Sequence, residues 1–158
     1  MASRISIYLS MPRGEVSTSD IVHDAFHQGK SVYVPYTYNL DSPPTDGPKT
    51  VMDMVSLHSL EDYEALGPDA WGIPTPSKAS IPGRCKCLSD PEIESNDHAR
   101  ESMKGEHVDM IIMPGMAFDR GFARLGHGKG FYDFFLQRFH QMRASESGNS
   151  KRMPLLGE

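Results

Sequence analysis

The chain has 158 residues, 38% of them hydrophobic, with a mean hydropathy of −0.46, enough for one domain with a modest core. No apolar run reaches the length of a transmembrane span, and the alternating start MASRISIYLS lacks the apolar stretch of a signal peptide. A net charge of −5 and a pI near 5.8 argue against general binding to nucleic acid or an anionic membrane, while leaving room for a local basic pocket.

Ile5, Ile7 and Leu9 alternate with polar neighbours, which predicts a strand. Ser17 to Asp20 offers helix caps, and Ile21, Val22, Ala25 and Phe26 then share one helical face, with Gly29 as the stop. Ser31 to Val34 reads as a second strand ended by Pro35. Strand, helix and strand in this spacing form a βαβ unit with a parallel pair and a right-handed crossover. Residues 43–48 are Pro- and Gly-rich and predict a loop. Val51 to Leu57 reads as a strand and Leu60 to Leu66 as a short helix capped by Ser59. Trp71 to Pro76 reads as an extended turn. Residues 77–106 are polar and predict a loop or a partly disordered insert. Cys85 and Cys87, the only cysteines, lie there without a CxxC spacing or a matched His cluster, and read as free surface thiols of a reducing compartment. Val108 to Met113 predicts a strand. Phe131 to Met142 predicts a helix with Phe131, Phe135 and Phe139 on one face. A polar linker follows, and Met153 to Leu156 could start another strand. The ten Met residues are scattered and read as core filler. The alternation of elements predicts an α/β fold, a three-layer sandwich around a mostly parallel sheet, with ligands beyond the carboxyl ends of its strands.

The segment MPGMAFDRGFARLGHGKGFYDFFL, residues 113–136, concentrates the chemistry. Glycines at 126, 128 and 130 leave backbone N–H groups able to face an anion, and a helix start adds more. Arg124 and Lys129 bring cations, and Asp133 brings a carboxylate suited to Mg²⁺. These are the parts of a Mg-nucleotide phosphate site, in neither the Rossmann nor the Walker spacing. Each has a plainer reading: a flexible turn, a pair of surface cations, a helix-start Asp favoured by the dipole. Asp119 reads first as structural, or as orienting Arg124.

The same segment resembles the signature of the 5-formyltetrahydrofolate cyclo-ligase family, roughly PG-x-x-FD-x-x-G-x-RLG-x-GxGYYD. It stands here as Pro114-Gly115, Phe118-Asp119, Arg124-Leu125-Gly126, Gly128-Lys129-Gly130 and Phe131-Tyr132-Asp133. Arg4 to Thr18 and Asp53 to Pro76 resemble the family as well, so the likeness covers most of the chain outside about Ser77 to Glu106. It implies Rossmann-like α/β architecture and a ligase that uses Mg-ATP to close 5-formyltetrahydrofolate to 5,10-methenyltetrahydrofolate, releasing ADP and phosphate. The formyl oxygen is phosphorylated, N10 attacks that carbon, and phosphate leaves.

By the resemblance, Arg124 and Lys129 are catalytic. Residues Arg124, Leu125, Gly126, His127, Gly128, Lys129, Gly130, Phe131 and Tyr132 bind ATP. Leu9, Glu15, His127, Gly128, Lys129, Gly130 and Phe131 bind the folate, and Asp133 holds the metal. Glu15 otherwise reads as a solvated loop carboxylate. Phe131 and Tyr132 either stack on a pterin or adenine or belong to the core. His127 stands where many relatives have Arg and lacks that residue's permanent charge and fork. Trp71, in WGIPTP, either lines the folate side or anchors the core.

The resemblance further implies a cytoplasmic monomer without nucleic-acid or membrane partners, or a mitochondrial one if the true N-terminus is missing. Relatives carry a basic segment before the first strand and a further acidic metal ligand after the last. On that ground the chain reads as truncated at both ends, with weaker ATP binding and low stability expected. A catalytically incomplete fragment that binds folate or nucleotide without turnover is the second reading. A sugar-phosphate isomerase-like protein of related topology is the third, and the RLGHGKGFYD run argues against it.

Overall fold

A computed structural model describes residues 2–41, 43, 45, 47–88 and 107–147. It divides into two compact units, one made of Met1–Tyr36 and Asp53–Ile112, the other of Thr37–Met52 and the chain from Met113 onward.

A four-stranded sheet has the order β3-β2-β1-β6, with β1 at Arg4–Ile7, β2 at Ser31–Asn39, β3 at Thr50–Ser56 and β6 at Met110–Ile112; residues 37–39 of β2 and 50–52 of β3 fall in the second unit and the rest in the first. β1 pairs in parallel with both β2, Ile5 against Val32, and β6, Ile5 against Met110. β2 and β3 run antiparallel, since Leu57 N–H donates to Val32 at one end and Leu40 N–H to Lys49 at the other. The result is α/β, with a mixed, mostly parallel sheet and flanking helices. Ile7, Val32, Val34 and Val55 are buried in one apolar cluster with Val22 and Ala25 of helix α1 (Ser19–His27). Each such branched side chain contributes about 1.5–3 kcal/mol by leaving water.

α1 ends at Gly29, whose φ is +67°. Gly29 N–H donates to Phe26 and Lys30 N–H to Ala25, the paired bonds of a Schellman stop. The start differs from expectation, because Thr18 makes no side-chain cap and its hydroxyl donates to the Tyr8 carbonyl at 2.7 Å. Helix α2 (Leu60–Glu64) is capped as its sequence suggests, with Asp62 N–H donating to Ser59 Oγ. β4 (Gly67–Pro68) and β5 (Pro74–Thr75) form a small hairpin around Asp69, whose carboxylate accepts from Trp71 and Ile73 N–H.

Three further expectations need correcting. β2 does not stop at Pro35 but runs on to Asn39. In the β2–β3 register the even-numbered N–H groups of β2 turn to β3, so the donor Pro35 lacks would point to the β1 side. Pairing with β1 ends at Tyr33, so nothing in the ladder is lost there. Second, the expected loop from Ser77 begins with a 3₁₀ helix, Lys78–Gly83, and continues as chain bridged to β3 at Val55–Lys86. Residues 89–106 lie outside the described residues. Third, Cys87 is not a surface thiol but fully buried, because that bridge and the bond from its N–H to Met54 turn it inward, while Cys85 is exposed.

Arg84 ties this strip down. Its guanidinium donates to both carboxylate oxygens of Asp62 at 2.6 and 2.7 Å and to the Ser56 carbonyl at 2.8 Å. The pair holds the Asp62 carboxyl below its usual range, chiefly through these hydrogen bonds.

The second unit contains a two-residue antiparallel ladder, β7 (Ala117–Phe118) with β8 (Arg124–Leu125), and helix α3 (Phe131–Ser147). Phe135 and Phe139 are buried and stacked with ring centres 5.7 Å apart, as the predicted face requires, and Phe131 is half-buried. The expected strand near Met153 lies outside the described residues. No described helix is long and apolar enough to cross a membrane.

Candidate active site

Within the second unit, the loop from Pro114 to Asp133 is shaped by its own polar groups. Asp119 closes the turn between β7 and β8: its Oδ1 accepts from Ala123 N–H at 2.8 Å and its carbonyl from Phe122 N–H at 3.1 Å. Asp119 therefore fills the structural role, while Arg124 bonds to Pro114 and Asp133. The turn holds Phe122 at a φ of +65°, a left-handed conformation that costs a non-glycine residue about 1 kcal/mol or more. Met116, Phe118, Phe122 and Leu125 are exposed along this hairpin.

Arg124 is held at both terminal nitrogens. Nη1 donates to the Pro114 carbonyl at 3.1 Å, Nη2 donates to Asp133 Oδ1 at 2.8 Å, and the guanidinium carbon lies 5.5 Å from the centre of the Tyr132 ring. The guanidinium also needs Gly126, where a Cβ would fall 2.8 Å from Nη1. The Arg124 side chain is only 12% exposed, whereas its partner Asp133 is 72% exposed. One side chain thus ties the β7–β8 hairpin to the first turn of α3, with the glycine run between the tied points.

Gly128 and Gly130 take φ values of +82° and +67°. The Gly130 carbonyl accepts from Phe134 N–H, which opens α3. The first turn of a helix cannot satisfy its own N–H groups and carries the positive end of the dipole, so Phe131, Tyr132 and Asp133 present donors suited to an anion. His127 and Lys129 are exposed on the run that leads there, Leu125 is exposed on β8, and Tyr132 is half-buried.

The first unit holds the other candidates. Leu9 is buried in its apolar core. Glu15 is half-buried and accepts from Met11 N–H at 2.8 Å, which folds the loop after β1 upon itself. The Tyr8 hydroxyl donates to the Val16 carbonyl, and burial, followed by the nearby Glu15 charge, raises its pKa. β1 and β6 are parallel neighbours, so this loop leaves the carboxyl edge of the sheet. Trp71 is 67% exposed, which removes the buried-anchor reading.

Sequence reading picked out Arg124 and Asp133 but gave them separate duties, a phosphate and a metal. Their mutual ion pair was missed. The available signal was an arginine followed at one remove by a glycine, with a carboxylate in the next helix turn. Among the described residues no group of three His, Cys, Asp or Glu side chains could hold a metal ion.

The model of the 5-formyltetrahydrofolate cyclo-ligase family matches residues 1–151. The chain belongs to that family. It is 34% identical to the 5-formyltetrahydrofolate cyclo-ligase of Mus musculus over 87% of this chain and 55% of that one. It is 30% identical to a probable 5-formyltetrahydrofolate cyclo-ligase of Schizosaccharomyces pombe, over 85% of this chain and 52% of that one. A solution structure of Aquifex aeolicus 5,10-methenyltetrahydrofolate synthetase is 26% identical, with a TM-score of 0.48 over 87% of this chain and 52% of that one. The chain spans about half the length of the relatives it matches.

Proposed function

We propose that this chain carries out, or carries the phosphate-binding part of, the ATP-dependent closure of 5-formyltetrahydrofolate to 5,10-methenyltetrahydrofolate. The observation that supports it best is the Arg124 guanidinium held beside a glycine run that leads into a helix start, in a chain of the cyclo-ligase family. In the proposed reaction the formyl oxygen takes the γ-phosphoryl group of ATP and ADP leaves. N10 then attacks the formyl carbon and gives up its proton to solvent, and phosphate departs with that oxygen.

The protein's share is positioning and charge. Backbone N–H groups along residues 126–133 and the side chains of Arg124 and Lys129 would hold the phosphates in line and offset charge as the phosphoryl group moves. His127 would add one hydrogen bond. Phe131 and Tyr132 offer rings to the base or the pterin, and Leu9 and Glu15 belong to the proposed folate contacts. For Mg²⁺ the chain offers Asp133, a mostly exposed carboxylate. One carboxylate fits Mg²⁺, which fills its other positions with phosphate oxygens and water. When bound, the ion would screen the phosphate charge.

The test is Mg-ATP-dependent formation of the methenyl chromophore from 5-formyltetrahydrofolate. Arg124→Ala and Lys129→Ala are each expected to lower kcat/KM about a hundred-fold or more. Unchanged turnover in both would sink the assignment of these residues. Folate binding by calorimetry without turnover would select the reading of a binding fragment.

A further inference from the structure

The same carboxylate that would serve a metal is engaged by the arginine that would serve the phosphates. Arg124 Nη2 donates to Asp133 Oδ1 at 2.8 Å, and the two side chains differ sharply in access: that of Asp133 is 72% exposed and that of Arg124 12%. A cation from solvent can therefore reach Asp133 without moving Arg124. The guanidinium, in turn, is held in place independently of Asp133 by the Pro114 carbonyl, the Tyr132 ring and the space left by Gly126.

We propose that Asp133 is a positioning residue as well as a metal ligand, and that the Arg124–Asp133 pair is a latch opened by the metal-bound nucleotide. While the two groups are paired they are neutral as a whole and offer little to a bare nucleoside triphosphate, because the carboxylate repels phosphate and takes up an Nη2 donor. Were Asp133 to ligate the cation of a metal-bound nucleotide, Nη2 would exchange acceptors, from carboxylate oxygen to phosphate oxygen, while Nη1 would keep the Pro114 carbonyl. The guanidinium is planar and its donors are fixed, so the exchange needs no large swing. The pair thus favours the metal complex over free nucleotide. This proposal rests on the reading of the loop as a nucleotide site.

The test is a double-mutant cycle read by calorimetric binding of ATP with EDTA and of ATP with excess Mg²⁺, using the full chain, Asp133→Asn, Arg124→Gln and the double variant. Freeing a donor from a charged acceptor is worth about a ten-fold change, so Asp133→Asn is expected to bind metal-free ATP about ten-fold tighter than the parent. That gain is expected to vanish in the Arg124→Gln background. A gain of the same size with and without Arg124 would mean simple removal of a negative charge and would overturn the latch. So would no gain at all. ¹⁵N NMR of the unsubstituted protein gives a second reading, in which the Arg124 guanidinium resonances move on adding Mg-ATP. Unmoved resonances in a protein that binds Mg-ATP overturn the latch alone. Failure of the parent to bind Mg-ATP overturns the nucleotide-site reading, and the latch with it.

Discussion

Arg124 shows how one residue can depend on the absence of a side chain elsewhere. A Cβ at Gly126 would stand 2.8 Å from Nη1, and one at Gly115 would meet the Phe118 ring at 2.6 Å. The atom Gly126 would touch is the working end of a guanidinium held at both terminal nitrogens, not a free tip. Gly126→Ala must therefore displace Arg124 from the Pro114 carbonyl, from Asp133, or from both. The expected outcome is a loss of Mg-ATP affinity of about ten-fold, since a hydrogen bond to a charged group is worth about 1.5–3 kcal/mol. Because those bonds also tie the β7–β8 hairpin to α3, Tm should fall by about 3–6 °C. Calorimetric titration beside a thermal melt checks both numbers. Unchanged affinity would mean that Arg124 is not held as described.

Helix α3 carries an unusual burden one turn beyond its site residues. Arg138 Nη1 is buried and has no hydrogen-bond partner among the described residues, while its guanidinium carbon lies 5.9 Å from the Phe134 ring centre. A buried donor without an acceptor loses its water and gains nothing, a cost of about 1–3 kcal/mol, whereas its aliphatic stem packs like a hydrophobe. Arg138→Met keeps the stem and removes the donor. It is expected to raise Tm by about 2–4 °C, by thermal denaturation; a clear fall would show that the guanidinium has a stabilising partner. Elements of this kind mark the limit of sequence reading. β1, α1 and its stop at Gly29, the Ser59 cap and the Phe135–Phe139 stack were legible because each depends on residues within a few positions. The run of β2 through Pro35 was not, because it depends on where the neighbouring strand ends. The burial of Cys87 depends on β3, and the tie of Arg124 to Asp133 spans glycine turns that give no periodicity. The sequence marked the residues of the candidate loop but not which of them hold one another.

At the scale of the whole molecule, stability depends on carboxylates that are worth more charged than neutral. Asp62 is held by Arg84, and that bond together with His58 N–H outweighs the upward push of burial. Asp109 is pushed up by burial, but the N–H groups of Arg4 and Ser3 at the start of β1 bring its pKa below the ordinary value. Both groups therefore have a folded pKa below the 3.8 expected for the unfolded chain. A depressed carboxylate pKa contributes stability above the unfolded value, and that contribution is lost as pH falls through the folded one. The chain should accordingly keep its stability down to about pH 4 and lose it steeply below. Asp62→Asn separates the two contributions. Near neutral pH it leaves the buried Arg84 guanidinium without a charged acceptor and is expected to cost about 2 kcal/mol in urea denaturation. Below the unfolded value of 3.8 the unfolded parent takes up a proton on Asp62 that the folded protein resists, so the gap between the two curves should narrow as pH falls, while Asp109 still gives the variant some acid sensitivity. A gap that stays constant from pH 7 to pH 3 would mean that the Asp62–Arg84 bonds do not depend on the carboxylate's charge, and the electrostatic account of this corner of the fold would fail.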